Sequence, residues 1–350
     1  MHPILTILIA VLTFGFLILI HELGHYIFAR VFKVKINEFS IGMGPRLFSR
    51  TSGKTGIKYS IAALPIGGFV AMAGEDDDSN DPDSFDKKPA WQRLVITAAG
   101  ATVNLIAGFI VTAILTCMIP IGGTTVAGFI DLAKQGYEVD VTTEGTLLVG
   151  DEIVAVDGKR VAIYDELNYE MMRRGNKPID LTVIRDGEEI TLRDVVLPTV
   201  EQDGVVFGLR DFSVFGVEKS LGNVISFSWS KSVLIVRMCW ESLIDLIGGR
   251  YSLNAVSGPV GISTAIGEAA SNGLGPFLYL FALISINLGV MNLLPIPALD
   301  GGRILTTLIE IVARRRIPKR VESIINGVGL MLLFALSLFI MGKDIIQLII

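Results

Sequence analysis

Cysteine is almost absent from this chain: among 350 residues there are two, Cys117 and Cys239, too few for a disulfide framework. Histidine is scarcer than its usual share, with three in all. Charge is also thin, at 19% of residues, where a soluble domain carries about 25%. The formal net charge of −5 gives no basic surface, which excludes nucleic acid as a partner. What the chain has in excess is apolar, 51% of residues, and it is unevenly spread. Met1–Val31, Trp91–Ile119, Gly275–Leu299 and Ile324–Gly342 are long apolar stretches, whereas Thr125–Glu218 reads like a soluble domain. About 20 apolar residues cross about 30 Å of hydrocarbon. The pattern implies a polytopic membrane protein with a soluble insertion and excludes a cytosolic enzyme.

The first stretch is expected to be a retained helix rather than a cleaved signal peptide. Met1, His2 and Pro3 carry no Lys or Arg, Ile4–Ile20 exceeds a normal h-region, and no small-x-small site follows before Arg30. Lys33, Lys35, Arg46, Arg50, Lys54, Lys58, Lys87 and Lys88 separate the first two spans. Arg303, Arg314, Arg315, Arg316, Lys319 and Arg320 separate the last two. Loops rich in Lys and Arg stay cytoplasmic. Four spans satisfy this, with both termini and the soluble insertion outside. Residues 224–247 are apolar enough to suggest a fifth span, but Lys231, Arg237, Glu241 and Asp245 fall on one helical stripe. The expectation is an amphipathic helix on the membrane surface or against the spans.

Within the first apolar stretch lies His21-Glu22-Leu23-Gly24-His25. Residues four apart share a helix face, so both imidazoles can hold one metal ion while Glu22 relays a proton from the attacking water. The alternative is a pair of packing histidines. Three ionisable groups in five positions of a span are costly, however, and such groups mark function. His2 is assigned no role. A catalytic zinc takes three protein ligands, and Asp300 is the candidate for the third. It closes the stretch from Asn287 to Gly302, where Pro295 and Pro297 break the helix and Gly301 and Gly302 free the backbone. The other reading of Asp300 is a helix-ending cap.

These residues, with the soluble insertion between them, resemble the site-2 protease family (peptidase family M50), and within it the bacterial regulator-of-sigma-E protease group with a single PDZ domain. The resemblance covers nearly the whole chain. It implies Zn2+ bound by His21, His25 and Asp300, with Glu22 as catalytic acid/base. Asn292 matches an asparagine that binds the substrate backbone. Asn104, in Gly100-Ala101-Thr102-Val103-Asn104, matches a second family asparagine and is carried over as substrate-binding, although Ala101 stands where the family has proline. Ser257-Gly258-Pro259-Val260-Gly261 matches a further family segment.

The implied fold is an α-helical polytopic membrane protein with four transmembrane helices, a membrane-associated β-hairpin/loop and an inserted α+β PDZ-like domain. The expected boundaries are an N-terminal membrane part, 1–123, with spans at about 4–31 and 92–118 and the hairpin at 36–74. The PDZ-like domain covers 124–200, followed by a connector at 201–274 that holds the amphipathic helix 224–247. The C-terminal membrane part is 275–350, with spans at about 276–298 and 324–342. In the hairpin region Gly42, Gly44, Pro45, Gly53 and Gly56 read as turns and Ile57–Leu64 partly as a strand, whose edge could pair with an unwound substrate backbone. Glu75-Asp76-Asp77-Asp78 lacks the spacing of an EF-hand and reads as a solvated turn. In the insertion, Gly150–Val161 reads as strand, Asp-Gly turn and strand, and Tyr164–Arg174 as a helix. Residues Ile179–Arg185 and Glu189–Val196 read as two more strands around Asp186-Gly187. Such a domain could capture a peptide by strand addition or act as a size filter.

The function expected is an intramembrane zinc metalloprotease acting on transmembrane segments of pre-trimmed single-pass proteins, such as anti-sigma factors, or on signal-peptide remnants. Its partners would be those substrates, the lipid bilayer and a possible peptide ligand, in a cell inner membrane or plasma membrane. A membrane metal-ion transporter with a peptide-binding external domain is the alternative, and the lack of clear internal duplication speaks against it. A non-proteolytic scaffold is disfavoured by the intact His-Glu-x-x-His.

Overall fold

Pro3 opens the first helix, α1 (Pro3–Val31), at a position where its missing N–H has no helical partner to lose. The computed structural model describes residues 2–75, 79–139, 141–202, 205–250 and 256–349. Asp76, Asp77 and Asp78 of the acidic run lie outside the described residues. The chain forms two compact units, one of Met1–Val111 with Val256–Ile350 and one of Thr112–Ala255. Among the described residues four helices are long and apolar enough to cross a membrane: α1, α2 (Ala90–Met118), α6 (Leu274–Leu293) and α8 (Lys319–Ile349). The expected span count stands, and the chain is an integral membrane protein.

Among the described residues two further α-helices belong to the first unit. The third span ends at Leu293, short of the expected 298, because Leu294 turns extended ahead of Pro295 and Pro297. Asp300 does not close that helix but opens a new one, α7 (Asp300–Ala313), where a first-turn carboxylate favours the helix dipole. The other is α5 (Pro259–Ser271), in a stretch read from sequence as connector. Its N-cap, Gly258, has no side chain to offer. Asp344 of α8 serves instead, its Oδ2 accepting from the Gly258 and Gly261 amides at 2.9 Å each.

Between α1 and α2 the chain makes β1 (Ile36–Thr51) and β2 (Lys58–Met72). Each strand doubles back. Phe39 pairs with both Tyr59 and Val70, while Arg50 pairs with Tyr59 from the other side. Gly42 and Gly44, at φ of 86° and 89°, make the bend in β1 that reads as a turn in sequence. Glu38 sits inside this sheet, accepting two hydrogen bonds from Arg46 at 2.7 Å and one from Ser60 at 2.6 Å.

The second unit carries a sheet in the order β10-β3-β4-β6-β7, built from β3 (Ile121–Phe129), β4 (Glu152–Val156), β6 (Ile179–Arg185), β7 (Glu188–Val195) and β10 (Phe212–Val217). The short β5 (Lys159–Arg160) pairs with β4, and β8 (Thr199–Gln202) with β9 (Val205–Gly208). Helix α3 (Tyr164–Arg174) places Leu167 and Met171 in a core with Val126, Ile153, Leu181 and Phe212. The sheet thus draws in β10, which the sequence reading leaves in the connector.

Helix α4 (Leu221–Ile247) belongs to this unit and is not among the four apolar helices. Its charged stripe faces α3 and β5. Lys231 pairs with Asp165 at 2.9 Å, Arg237 with Glu170 at 2.6 Å, Glu241 with Lys159 at 3.1 Å, and Asp245 with Arg173. Glu170 is fully buried under these contacts.

Candidate metal centre

Two glycines let α1 and α2 cross closely at the histidines. A Cβ at Gly24 would lie 2.9 Å from Gly100 Cα, and a Cβ at Gly100 would run into the rings of both His25 and His21. Inside this crossing His21 and His25 are buried, at 7% and 9% exposure. The bent segment after α6 brings Asp300 to the same place. Gly301 and Gly302 let it turn, since side chains there would strike the Leu294 and Ile296 carbonyls. Ala298, just before, holds a positive φ of 73°, and its amide reaches Asn326 Oδ1 of α8 at 3.3 Å. Such strain persists where the surroundings fix it.

The result is a triangle of three electron-rich atoms. His21 Nε2 lies 3.0 Å from Asp300 Oδ2, His25 Nε2 lies 3.4 Å from the same oxygen, and the two Nε2 atoms are 3.1 Å apart. Ligands about 2.05 Å from a tetrahedral zinc would stand about 3.3 Å from one another. Asp300 Oδ2 is buried and receives no hydrogen bond of ordinary geometry. Three lone pairs this close repel unless a cation lies among them, so the set fits a divalent metal. His25 Nδ1 donates to the Ile96 carbonyl at 2.9 Å, which leaves its Nε2 lone pair free.

Among the other residues singled out by sequence, Glu22 is half-buried next to His21 in the chain and supplies none of the three clustered atoms. Asn104 is fully buried and its amide lies 3.4 Å from His21 Nδ1. Asn292, in the last turn of α6, is half-buried and hydrogen-bonds to none of the three clustered side chains.

Several supporting residues escape sequence reasoning. Gly24 and Gly100 stand inside motifs as spacers, and only the crossing shows why they are small. Arg303, counted there as a topology charge, pairs with Glu75 and ties α7 to the end of β2. Arg93 of α2 meets Glu310 of α7 at 2.6 Å, both largely buried, and Glu310 also accepts from the Ile317 amide at 2.9 Å. No local pattern marks partners 217 residues apart.

Comparison with known proteins bears on what this cluster does. The model of peptidase family M50 matches residues 9–336. The chain belongs to that family. It is 35% identical over 345 residues to a candidate zinc metalloprotease of Fusobacterium nucleatum, covering 97% of this chain and 98% of that one. A candidate zinc metalloprotease of Clostridium perfringens is 34% identical over 342 residues, covering 97% and 98%. Zinc metalloprotease RasP of Geobacillus kaustophilus is 28% identical over 424 residues, covering 96% of each chain. The site-2 protease resemblance is borne out, and the chain is a membrane metalloprotease; zinc is the metal in the relatives' names.

Proposed function

We propose that this M50 peptidase is an intramembrane zinc endopeptidase whose metal is held by His21, His25 and Asp300. The observation that carries this is the triangle of Nε2, Nε2 and Oδ2 at 3.0 to 3.4 Å, with both histidines buried in the apolar helix α1 and Asp300 brought to them at the start of α7. Zinc held there supplies Lewis acidity toward a peptide carbonyl and an acidified water. Glu22, next to His21 in the chain and outside the ligand set, takes the proton of the attacking water and returns it to the leaving amine. Asn292 contacts the substrate backbone near the scissile bond.

The substrates are transmembrane segments of single-pass proteins already trimmed outside, anti-sigma factors among them, or signal-peptide remnants. A transmembrane helix keeps its carbonyls bonded internally, so the segment must unwind before it is cut. The hairpin of β1 and β2 offers strand edges to such an unwound chain. Apolar side chains exposed at its bends, including Met43, Leu47, Phe48 and Leu64, suit a loop that enters the bilayer.

The antiparallel sheet of the second unit, with β10 at its edge and α3 packed on its core, supports the PDZ-like reading and capture of a peptide by strand addition. With its charges turned to α3, α4 exposes Ile225, Trp229, Val233, Trp240 and Ile244, and we assign that face to the lipid interface, where tryptophan is at home. The basic loops lie in the cytoplasm and both termini and this unit outside, in an inner or plasma membrane.

The test is detergent-purified protein with a model transmembrane peptide, with and without chelator, and mass mapping of the products. Cuts within the apolar segment that vanish on chelation and return with zinc are the expected result. Cleavage indifferent to chelation would overturn the reading.

A further inference from the structure

Asn104 is a buried polar side chain whose surroundings do not match the role its motif implies. With no exposed surface it offers nothing to a substrate. It lies on α2 one turn beyond Gly100, its amide 3.4 Å from His21 Nδ1. Ser285 of α6 donates to its backbone carbonyl at 2.8 Å, so the residue is fixed from the opposite side as well. Its side-chain oxygen is buried and no donor reaches it.

His21 turns Nε2 toward Asp300 Oδ2 and His25 Nε2. A neutral imidazole that offers its lone pair at Nε2 carries its proton at Nδ1. That proton requires an acceptor, as the proton on His25 Nδ1 finds one in the Ile96 carbonyl. The group within reach of His21 Nδ1 is the Asn104 amide. Its two ends have the same shape, so half a turn about the terminal bond exchanges oxygen for nitrogen without displacing a neighbour. The oxygen then meets the Nδ1 proton in place of a site that holds no donor.

We infer that Asn104 is a positioning residue: its side-chain oxygen accepts the His21 Nδ1 proton and locks His21 in the tautomer and ring orientation that presents Nε2 to the metal. The assignment rests on the reading of His21 as a zinc ligand, and it takes Asn104 out of the substrate-contacting set. Groups that orient metal-bound histidines in this way change metal affinity about 10- to 100-fold when removed.

The test uses the full chain in detergent, with 15N-labelled histidine, zinc as the probe, and two variants. Asn104→Leu keeps the volume and removes the acceptor; Asn104→Asp keeps an oxygen acceptor and removes the donor. Zinc affinity is read by chelator competition, His21 tautomer by 15N shifts, and folding by the thermal midpoint. The inference expects Asn104→Leu to lose about 10- to 100-fold in zinc affinity and the single-tautomer signature of His21, while Asn104→Asp keeps both. An Asn104→Asp protein that folds but loses zinc would overturn it, because the oxygen would then not be the working end. So would an Asn104→Leu protein with wild-type affinity and tautomer. If Asn104→Leu does not fold, Asn104→Asp alone decides. A wild-type His21 signal that zinc does not move would instead defeat the ligand reading beneath the inference.

Discussion

Gly100 of α2 faces the His25 imidazole with no room for a side chain between them. The metal triangle therefore depends on a position that contributes no chemical group. Gly100→Ala should push the rings apart and lower cleavage about 100-fold or more, as misplacement by an ångström does, with zinc content falling alongside. Gly327→Ala, on α8 where a Cβ meets nothing within 4 Å, should leave cleavage at the wild-type rate. Peptide cleavage and zinc content of the two purified variants check this; an active Gly100→Ala enzyme would show that the crossing is slack.

Glu22 carries no ligand atom in the cluster. Glu22→Gln should retain zinc at the wild-type stoichiometry while cleavage falls at least 10²- to 10⁴-fold, the range for loss of a general base. Metal analysis and cleavage rates on the same sample check this. Zinc lost together with activity would make Glu22 a ligand rather than a base.

Arg93 and Glu310 tie α2 to α7, the helix that Asp300 opens, and their side chains are 13% and 10% exposed. Removing one partner of such a pair leaves a buried charge and costs about 3–5 kcal/mol, whereas removing both can be nearly neutral. Arg93→Met should lower the thermal midpoint sharply, and Arg93→Met with Glu310→Met should recover most of it. Strictly additive losses in that double-mutant cycle would mean the two groups do not interact.

In the second unit, burial pushes the Asp151 carboxyl up, but hydrogen bonds from Arg185 at 2.7 and 2.8 Å and from the Leu148 amide at 2.8 Å outweigh it. The group is held below its ordinary value of 3.8. A depressed carboxylate stabilises the fold at pH above that value and loses the contribution as pH falls through the lower, folded one. Denaturation of the full chain, followed by its tryptophan emission, should show a stability drop below about pH 4 that shrinks in Asp151→Asn. An unchanged acid limb in that variant would remove Asp151 as its source.

The sequence announces the histidine pair because helix periodicity alone sets two residues four apart on one face, and the length of the apolar runs reveals the four apolar helices. Asp300 is visible through the prolines and glycines around it, though as the end of a helix rather than the start of α7. Less legible are features that depend on contact between distant segments. Gly24 and Gly100 acquire meaning only where two helices cross. The strand β1 is hidden by Gly42 and Gly44, whose bend is a turn locally and a doubling of the sheet globally. The charged stripe of α4 can be read as a stripe, but its partners Asp165, Glu170 and Arg173 cannot, since complementary charges carry no address.

That last pairing limits how α4 can move. Sliding it one helical turn along α3 would carry Arg237 away from Glu170, a carboxylate with no water to fall back on, and would unseat Lys231, Glu241 and Asp245 in the same step. The four pairs hold the two helices in one register, so a displacement of α3 that keeps them must take Trp229 and Trp240 along with it.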